Sequence, residues 1–271
     1  MNAAGLLASA GIPAHEARAL LAFTLGCQPH ELALRTPEEA QAARFRELVA
    51  ARADGVPLQF LTGVAAFRTV EVAVGPGVFI PRPETEALAG WVIEHLRTRA
   101  DAPMVVELCA GSGAISLAIA TEAPGCDQHA VEIDADALAY ALRNLAATGV
   151  RLVHADMADA LPELDGRVDV VVANPPYVPT AHADQVAADV RAHEPPLALF
   201  AGPDGLDAIR VVARVAARLL RPGGLVAVEH DESHDAAAVL AATGDFDEVA
   251  DHRDLAGRPR FVTARRARVA G

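Results

Sequence analysis

The sequence predicts an α/β protein built on a mostly parallel sheet, preceded by a small helical segment. Three observations carry this. Short apolar runs near residues 104–108, 128–132, 151–154, 168–173 and 224–230 alternate with stretches of helical length, an order that implies a parallel sheet covered on both faces. The first 54 or so residues read as helices separated by caps and breakers. Finally, 271 residues with 52% apolar side chains suffice for a sizeable buried core.

Taken in order, residues 2–9 and 13–25 read as helices, and Thr36-Pro37-Glu38-Glu39 opens a third that runs through Ala53, with Thr36 as N-cap and Pro37 at N1. Leu20, Leu21, Phe23, Leu25, Leu32 and Leu34 are the expected core of this domain, residues 1–63. Residues 64–80 alternate in polarity and contain Gly75-Pro76-Gly77, which suggests a β-hairpin linker over residues 64–83, and a helix is expected to open with Pro83 at N1. Residues 84–271 hold the strand-helix units and close with a strand pair, residues 246–252 and 260–263, joined through Ala256-Gly257 and including one antiparallel strand.

The residues that carry chemistry stand where these strands end. Met104 to Leu108 leads into Cys109-Ala110-Gly111-Ser112-Gly113 and then a helix. Such a loop lets backbone approach a ligand and leaves free N–H groups at the helix start. Ser116 stands where the dinucleotide fingerprint has its third Gly or Ala, which argues against NAD. Glu132 ends the next strand about twenty residues after the loop, the spacing at which a ribose diol finds an acceptor. Asp156-Met157, after the third strand, offers a carboxylate and a soft apolar side chain to an adenine ring. Asn174-Pro175-Pro176-Tyr177 ends the fourth. There an Asn oxygen and a backbone carbonyl can accept the two hydrogens of a planar NH2, two prolines stiffen them, and a Tyr ring offers a stacking face. All four groups lie at one sheet edge and converge on one crevice.

In this arrangement the chain resembles the S-adenosylmethionine-dependent methyltransferases of planar amino groups, and more closely the HemK/PrmC family of protein-(glutamine-N5) methyltransferases. The resemblance rests on residues 57–63 (PLQFLTG), 76–86 (PGVFIPRPETE), the tetrapeptide, 194–199 (EPPLAL), 202–207 (GPDGLD) and 253–258 (RDLAGR). It spans roughly residues 55–262, and the IPRPETE stretch favours the enzyme acting on release factors over its ribosomal-protein-modifying relative.

The resemblance implies a Rossmann-like seven-stranded sheet and S-adenosyl-L-methionine as cofactor. Its implied contacts are Glu107, Cys109, Ala110, Gly111, Ser112, Gly113, Glu132, Asp156, Met157 and Asn174. Peptide chain release factors are the implied partners, modified on the Gln of a Gly-Gly-Gln motif. Asn174, Pro175 and Tyr177 are the catalytic candidates, and with Pro176 they are also the substrate-binding set. The helical domain and linker are expected to recognise the protein substrate. Two departures are visible: Glu107 stands where the family usually has Asp, and Ala110 where it usually has Thr, so altered or weaker cofactor binding is expected.

Alignment is the chemical problem in such a transfer. An amide lone pair is delocalised, whereas a sulfonium methyl is already electrophilic, and positioning can contribute about 7–11 kcal/mol without a strong base. His154, His193 and His230 are accordingly expected to be structural or exposed. Two rival readings remain. An adenine-N6 methyltransferase presents the same NH2 geometry but must flip a base and hold phosphates, and a catalytically silent cofactor-binding scaffold is suggested by Glu107 and Ala110.

A formal net charge of −13 opposes binding to nucleic acid and suits a basic protein partner. Arg265-Arg266-Ala267-Arg268 reads as a solvated tail. Cys27, Cys109 and Cys126 suggest neither a disulfide framework nor a zinc site, and no metal is expected. With no secretory signal and no long apolar stretch, the expected location is cytoplasmic.

Overall fold

A computed structural model describes residues 2–268. Helices α1 (Ala3–Ala8), α2 (Ala14–Leu25), α3 (Glu39–Ala53) and α4 (Leu58–Thr62) come first, with a 3-10 segment at Pro29–Leu34. They enclose a core of their own around Leu6, Leu20, Leu21, Leu32, Phe45 and Leu48. Burying each such side chain contributes about 1.5–3 kcal/mol. Two of the residues expected in that core are at the surface: Phe23 is 47% and Leu34 87% exposed. Phe23 lies on the outer side of α2, and Leu34 ends the 3-10 segment, where a three-residue turn rotates it away from Leu32.

Helix α3 starts later than the Thr36-Pro37 signal suggests. Glu38 is its N-cap, and Gln41 returns a bond to the Glu38 N–H at 3.0 Å. A capping box thus outcompetes Pro at N1.

The linker is a hairpin of β1 (Val64–Phe67) and β2 (Val70–Ala73), antiparallel and in register from Val64↔Ala73 to Phe67↔Val70. Its turn lies at Arg68-Thr69, with Arg68 at φ 51°, and Gly75-Pro76-Gly77 forms a later bend. The Arg68 guanidinium bonds both Glu122 oxygens, at 2.9 and 2.8 Å, and so ties the hairpin turn to the sheet domain. Helix α5 (Thr85–Arg97) begins two residues after the expected Pro83, because N–H groups of Thr85 and Glu86 first close tight turns onto Arg82 and Pro83.

Strands β3 (Met104–Leu108), β4 (Asp127–Glu132), β5 (Arg151–His154), β6 (Val168–Ala173), β7 (Leu220–Glu229), β8 (Phe246–Arg253) and β9 (Pro259–Arg266) form one sheet in the order β5-β4-β3-β6-β7-β9-β8. The pairings from β5 through β7 are parallel, and β9 runs antiparallel to both β7 and β8. This is the Rossmann-like seven-stranded sheet the resemblance implied.

Strand alternation splits the core by face. Val105, Val170 and Val172 pack beneath α5, α6 (Ala114–Glu122), α7 (Ala135–Leu145) and the hairpin. Val106, Val171 and Val226 pack against α10 (Asp207–Leu219) and α11 (Ala236–Ala241) on the other side. Short helices α8 (Ala188–His193) and α9 (Pro196–Leu199) lie between β6 and α10. The chain fills the sheet outward from β3 through β5 and then returns to place β6 on the other side of β3. The sheet order therefore reverses between β3 and β6, where ligands bind in open α/β sheets.

Candidate active site

A cavity of about 470 Å³ opens at this reversal point, a size suited to a small-molecule ligand. Its walls come from the loops after β3, β4, β5 and β6, from the linker, and from the segment of α8 and α9. Among the described residues no helix is long and apolar enough to cross a membrane.

Turning from β3 into α6 requires a sharp bend, and Cys109, Gly111 and Gly113 all have positive φ. Cys109, Ala110, Gly111 and Ser112 line the cavity. Gly113, expected at the cofactor, does not line it. As N-cap of α6 it lies 3.0 Å, measured from a Cβ placed on it, from Leu145, so a side chain there would disturb both turn and packing.

Burial pushes the Cys109 thiol well above its ordinary pKa, aided by the nearby Glu132, Glu107 and Asp156 carboxylates, and its sulfur lies 3.6 Å from the Met157 sulfur. A protonated thiol in such a site is packing rather than a nucleophile. Glu107, 2% exposed, accepts from the Ser116 N–H at 2.9 Å and from the Ser116 hydroxyl. It therefore caps the start of α6 from beneath, and burial pushes its pKa up to about 8 against the pull of those Ser116 bonds.

Glu132 is 7% exposed and held by backbone alone: Oε2 accepts from Gly111 N–H at 2.6 Å, while Oε1 accepts from Ile133 and Asp134 N–H at 2.9 and 2.8 Å. A carboxylate has about four acceptor positions, so one remains for a ligand, on Oε2. The strand-end acid both closes the loop and faces the cavity. Asp156 is exposed and accepts from Ala158 N–H at 2.9 Å, and it lines the cavity beside half-buried Met157. A nucleoside carrying a charged tail fits this set of a glycine loop, a fixed carboxylate and an apolar wall.

Asn174, Pro175, Pro176 and Tyr177 form the opposite wall. Asn174 Nδ2 donates to Thr85 Oγ1 at 3.1 Å, and Asn174 Oδ1 accepts no hydrogen bond from the described residues. The amide is thereby oriented, nitrogen inward and oxygen free. Tyr177 donates through its hydroxyl to Glu229 Oε1 at 3.4 Å, and burial raises its phenol well above the ordinary value, with Glu229 adding to the rise. Gly205 makes room for this loop, since a Cβ there would stand 2.3 Å from the Tyr177 carbonyl oxygen.

Three groups of residues were not assigned roles from sequence. Asn144 of α7 bonds the Ala73 N–H and C=O and the Ser112 carbonyl, at 2.8, 3.0 and 2.9 Å, and so pins the hairpin to the glycine loop. Arg82 pairs with the buried Glu194 carboxylate, which also accepts from Ile80 N–H, and lies 4.7 Å over the Phe79 ring. That pair joins the linker to the segment between α8 and α9 at the cavity mouth. Thr85 and Glu229 stand behind Asn174 and Tyr177. Arg82 and Thr85 belong to the IPRPETE stretch that carries the family resemblance, and Glu229 is the one acid in an apolar run, but neither signal names a partner. Of the three histidines expected to be structural or exposed, His154 is exposed, His193 half-buried and His230 buried.

Comparison with known proteins places this geometry. The PrmC N-terminal domain family matches residues 1–63, and the Methyltransferase small domain family matches residues 70–194. The release factor glutamine methyltransferase of Streptomyces coelicolor is 47% identical over 266 residues, covering 96% of this chain and 94% of its own, and that of Mycolicibacterium smegmatis is 48% identical, covering 97% and 95%. A Streptomyces pristinaespiralis relative, 40% identical over 90% of this chain and 86% of its own, is a 4-amino-L-phenylalanine/4-methylamino-L-phenylalanine methyltransferase. Among solved structures, the Thermus thermophilus 16S rRNA N2 G1207 methyltransferase, bound to AdoMet and guanosine, superposes with a TM-score of 0.55 at 24% identity, covering 76% of this chain and 50% of its own, and shows the shared fold. With near full-length identity of this order and a methyl donor that is S-adenosylmethionine, this chain belongs to the release factor glutamine methyltransferase family.

Proposed function

We propose that this protein transfers a methyl group from S-adenosylmethionine to the side-chain amide nitrogen of the Gln in the Gly-Gly-Gln motif of peptide chain release factors. The observation that carries the reading is the orientation of Asn174, whose nitrogen is engaged by Thr85 and whose oxygen is left as an acceptor on the cavity wall. Membership of the family supports the substrate.

The bound cofactor supplies an electrophilic methyl on a sulfonium. Everything else falls to the chain. Asn174 Oδ1 and the Pro175 carbonyl each accept one amide N–H, which opposes rotation of the NH2 and favours the positive charge that develops on nitrogen. Pro175 and Pro176 keep those acceptors stiff, and the Tyr177 ring packs on the amide plane. The extra proton leaves to water after transfer. On the cofactor side Glu132 would accept a ribose hydroxyl at its free position, Cys109, Ala110, Gly111 and Ser112 would hold the amino-acid tail, and Asp156 and Met157 would take the adenine. Glu107 acts beneath the loop rather than as a direct base.

The helical residues 1–63 and the hairpin, whose Phe67 lines the cavity, recognise the release factor. The net charge of −13 suits a partner presenting basic residues and opposes a nucleic-acid substrate. The proposed place of work is the cytoplasm, where release factors act.

The test is peptide mass spectrometry of a purified, unmodified release factor after incubation with the protein and S-adenosylmethionine, alongside adenine-containing DNA and 4-amino-L-phenylalanine. A single methyl on the Gly-Gly-Gln glutamine is expected. Methyl on DNA or on the amino acid alone would overturn the reading, and cofactor bound with no transfer to any of the three would favour a silent scaffold.

A further inference from the structure

Asn174 can receive an amide NH2 only in one of its two flip states. With Oδ1 toward the substrate, donors meet acceptors; with Nδ2 there, donors meet donors. The two states have nearly the same shape, so the selection must come from hydrogen bonding behind the residue. Behind Asn174 is Thr85, the first residue of α5 and 4% exposed, whose Oγ1 accepts the Nδ2 bond at 3.1 Å. A hydroxyl that accepts this bond still has a hydrogen to direct elsewhere. The carboxyl that faces it belongs to Glu229, the last residue of β7, at 0% exposure. Thr85 lies close enough to draw the Glu229 pKa down, yet no hydrogen bond of ordinary geometry joins them: among the described residues Oε2 of Glu229 has no partner, and Oε1 has only the 3.4 Å contact from the Tyr177 hydroxyl.

We propose that Glu229, acting through Thr85, is a positioning residue for methyl transfer: its carboxylate draws the Thr85 hydroxyl toward itself, which fixes Asn174 with Oδ1 toward the substrate amide. The same carboxylate aligns the Tyr177 ring through its phenol. This rests on the role of Asn174 given above. An ionised carboxylate can only accept hydrogen bonds, so Glu229 sets the direction of the run from Asn174 through Thr85. Once protonated it can donate to Thr85 instead, and the Thr85 hydrogen is then free to turn toward Asn174 and favour the flipped amide.

The surroundings leave Glu229 able to change charge in the working range. Burial pushes it up to about 7, Thr85, Arg260 and Tyr177 draw it down, and Glu84 pushes it up. These groups come from α5 and its start, from β9, and from the loop after β6. Arg260 faces the site without a full pair, its Nε having no hydrogen-bond partner among the described residues and lying 3.7 Å from Asp254. The adjoining His230 is turned away, with Nδ1 2.8 Å from the Asp231 carbonyl and Nε2 3.4 Å from Asp251. As pH falls through about 7, Glu229 gains a proton and kcat should fall, while cofactor affinity, set on the other wall, should not follow it.

The test uses the full chain and its Glu229→Gln, Thr85→Val, Thr85→Ser and Thr85→Val/Glu229→Gln variants. Each is measured for kcat and KM on an unmodified release factor between pH 6 and 9, for cofactor affinity by calorimetry, and for folding by thermal melting. Glu229→Gln and Thr85→Val should each lower kcat about tenfold to a hundredfold, with KM and cofactor affinity changed less than about twofold. Thr85→Ser, which keeps the hydroxyl, should retain most activity. The acid limb of kcat near pH 7 should vanish in Glu229→Gln, and the double variant should be no worse than the poorer single one, as for one shared path. Wild-type kcat and acid limb in Glu229→Gln, or a Thr85→Ser as poor as Thr85→Val, would overturn the inference. Should Glu229→Gln fail to fold, the contrast between Thr85→Val and Thr85→Ser decides alone. Absence of transfer by the unaltered chain is a different failure, because it removes the role of Asn174 on which the inference stands.

Discussion

Glu132 ends β4 on one wall of the crevice and Glu229 ends β7 behind the Asn174–Tyr177 wall, and both are buried. Glu132 receives three backbone N–H bonds of 2.6–2.9 Å, whereas Glu229 receives one phenolic contact at 3.4 Å and leaves an oxygen without a partner among the described residues. Backbone donors are fixed by the fold and cannot rotate away; side-chain hydroxyls can. The wall proposed for the cofactor is therefore set once the chain has folded. The acceptor wall depends on which way a few hydrogens point, and small changes there should register in rate before they register in binding.

Substitutions that strike one wall and spare the other test this contrast. The largest effect is expected from Asn174→Ala, which should lower methyl transfer on the order of a hundred- to a thousandfold while calorimetry finds cofactor affinity within a few fold. Equal loss of both would mean that Asn174 mainly shapes the cofactor pocket. Glu132→Ala should do the reverse, weakening cofactor binding on the order of ten- to a hundredfold, the value of a charge-assisted hydrogen bond, with kcat largely recovered at saturating cofactor. A variant that saturates at the wild-type cofactor concentration would remove Glu132 from ribose binding.

At the mouth, Arg82→Met should raise KM for the release factor several-fold and lower the melting temperature, because it strands the Glu194 carboxylate, whose side chain is only 1% exposed. Leaving a buried charge unpaired is destabilising, and unchanged melting would show that Glu194 simply takes up a proton. The smallest effect on turnover is expected from Glu107→Gln, which is read instead as stability against pH. The folded-state pKa of about 8 lies above the ordinary 4.5, so the folded chain keeps a proton that the unfolded chain releases. Wild-type stability should then fall as pH rises from about 4.5 to 8 and level off above that. The Gln variant should lack this fall and gain on wild type between pH 5 and 8.5 in thermal melts.

Sequence and structure agree best where a single strand decides the answer. The apolar runs that end in Glu132, His154 and Ala173 needed only alternation and length to be read, and the structure brings the residues that follow them to one cavity. Agreement is poorer where two local signals compete. The Thr36-Pro37 start lost to the capping box of Glu38 and Gln41, and the expected Pro83 start lost to tight turns before Thr85. Phe23 and Leu34 have core-like side chains, yet hydropathy alone does not say which face of a short helix or 3-10 turn points inward. Glu229, Thr85, Asn144 and Glu194 were beyond reach for another reason. Each acquires its meaning from a residue far away in the chain, and one-dimensional spacing carries no trace of such a contact.

Strand β9 is inserted between β7 and β8, so the last strand in the chain lies inside the sheet, not at its rim. Phe261 pairs across from Glu229, and Arg260 helps set the charge of that carboxyl. During synthesis β7 must therefore wait for residues 259–266 before its open edge is covered. The glycine loop and Glu132, encoded more than a hundred residues earlier, can assemble long before that. A nascent chain halted before β9 would hold most of a nucleoside pocket next to an unfinished acceptor wall. It should bind the methyl donor well before it can use it, and it should meanwhile expose the edge of β7 to unwanted strand pairing.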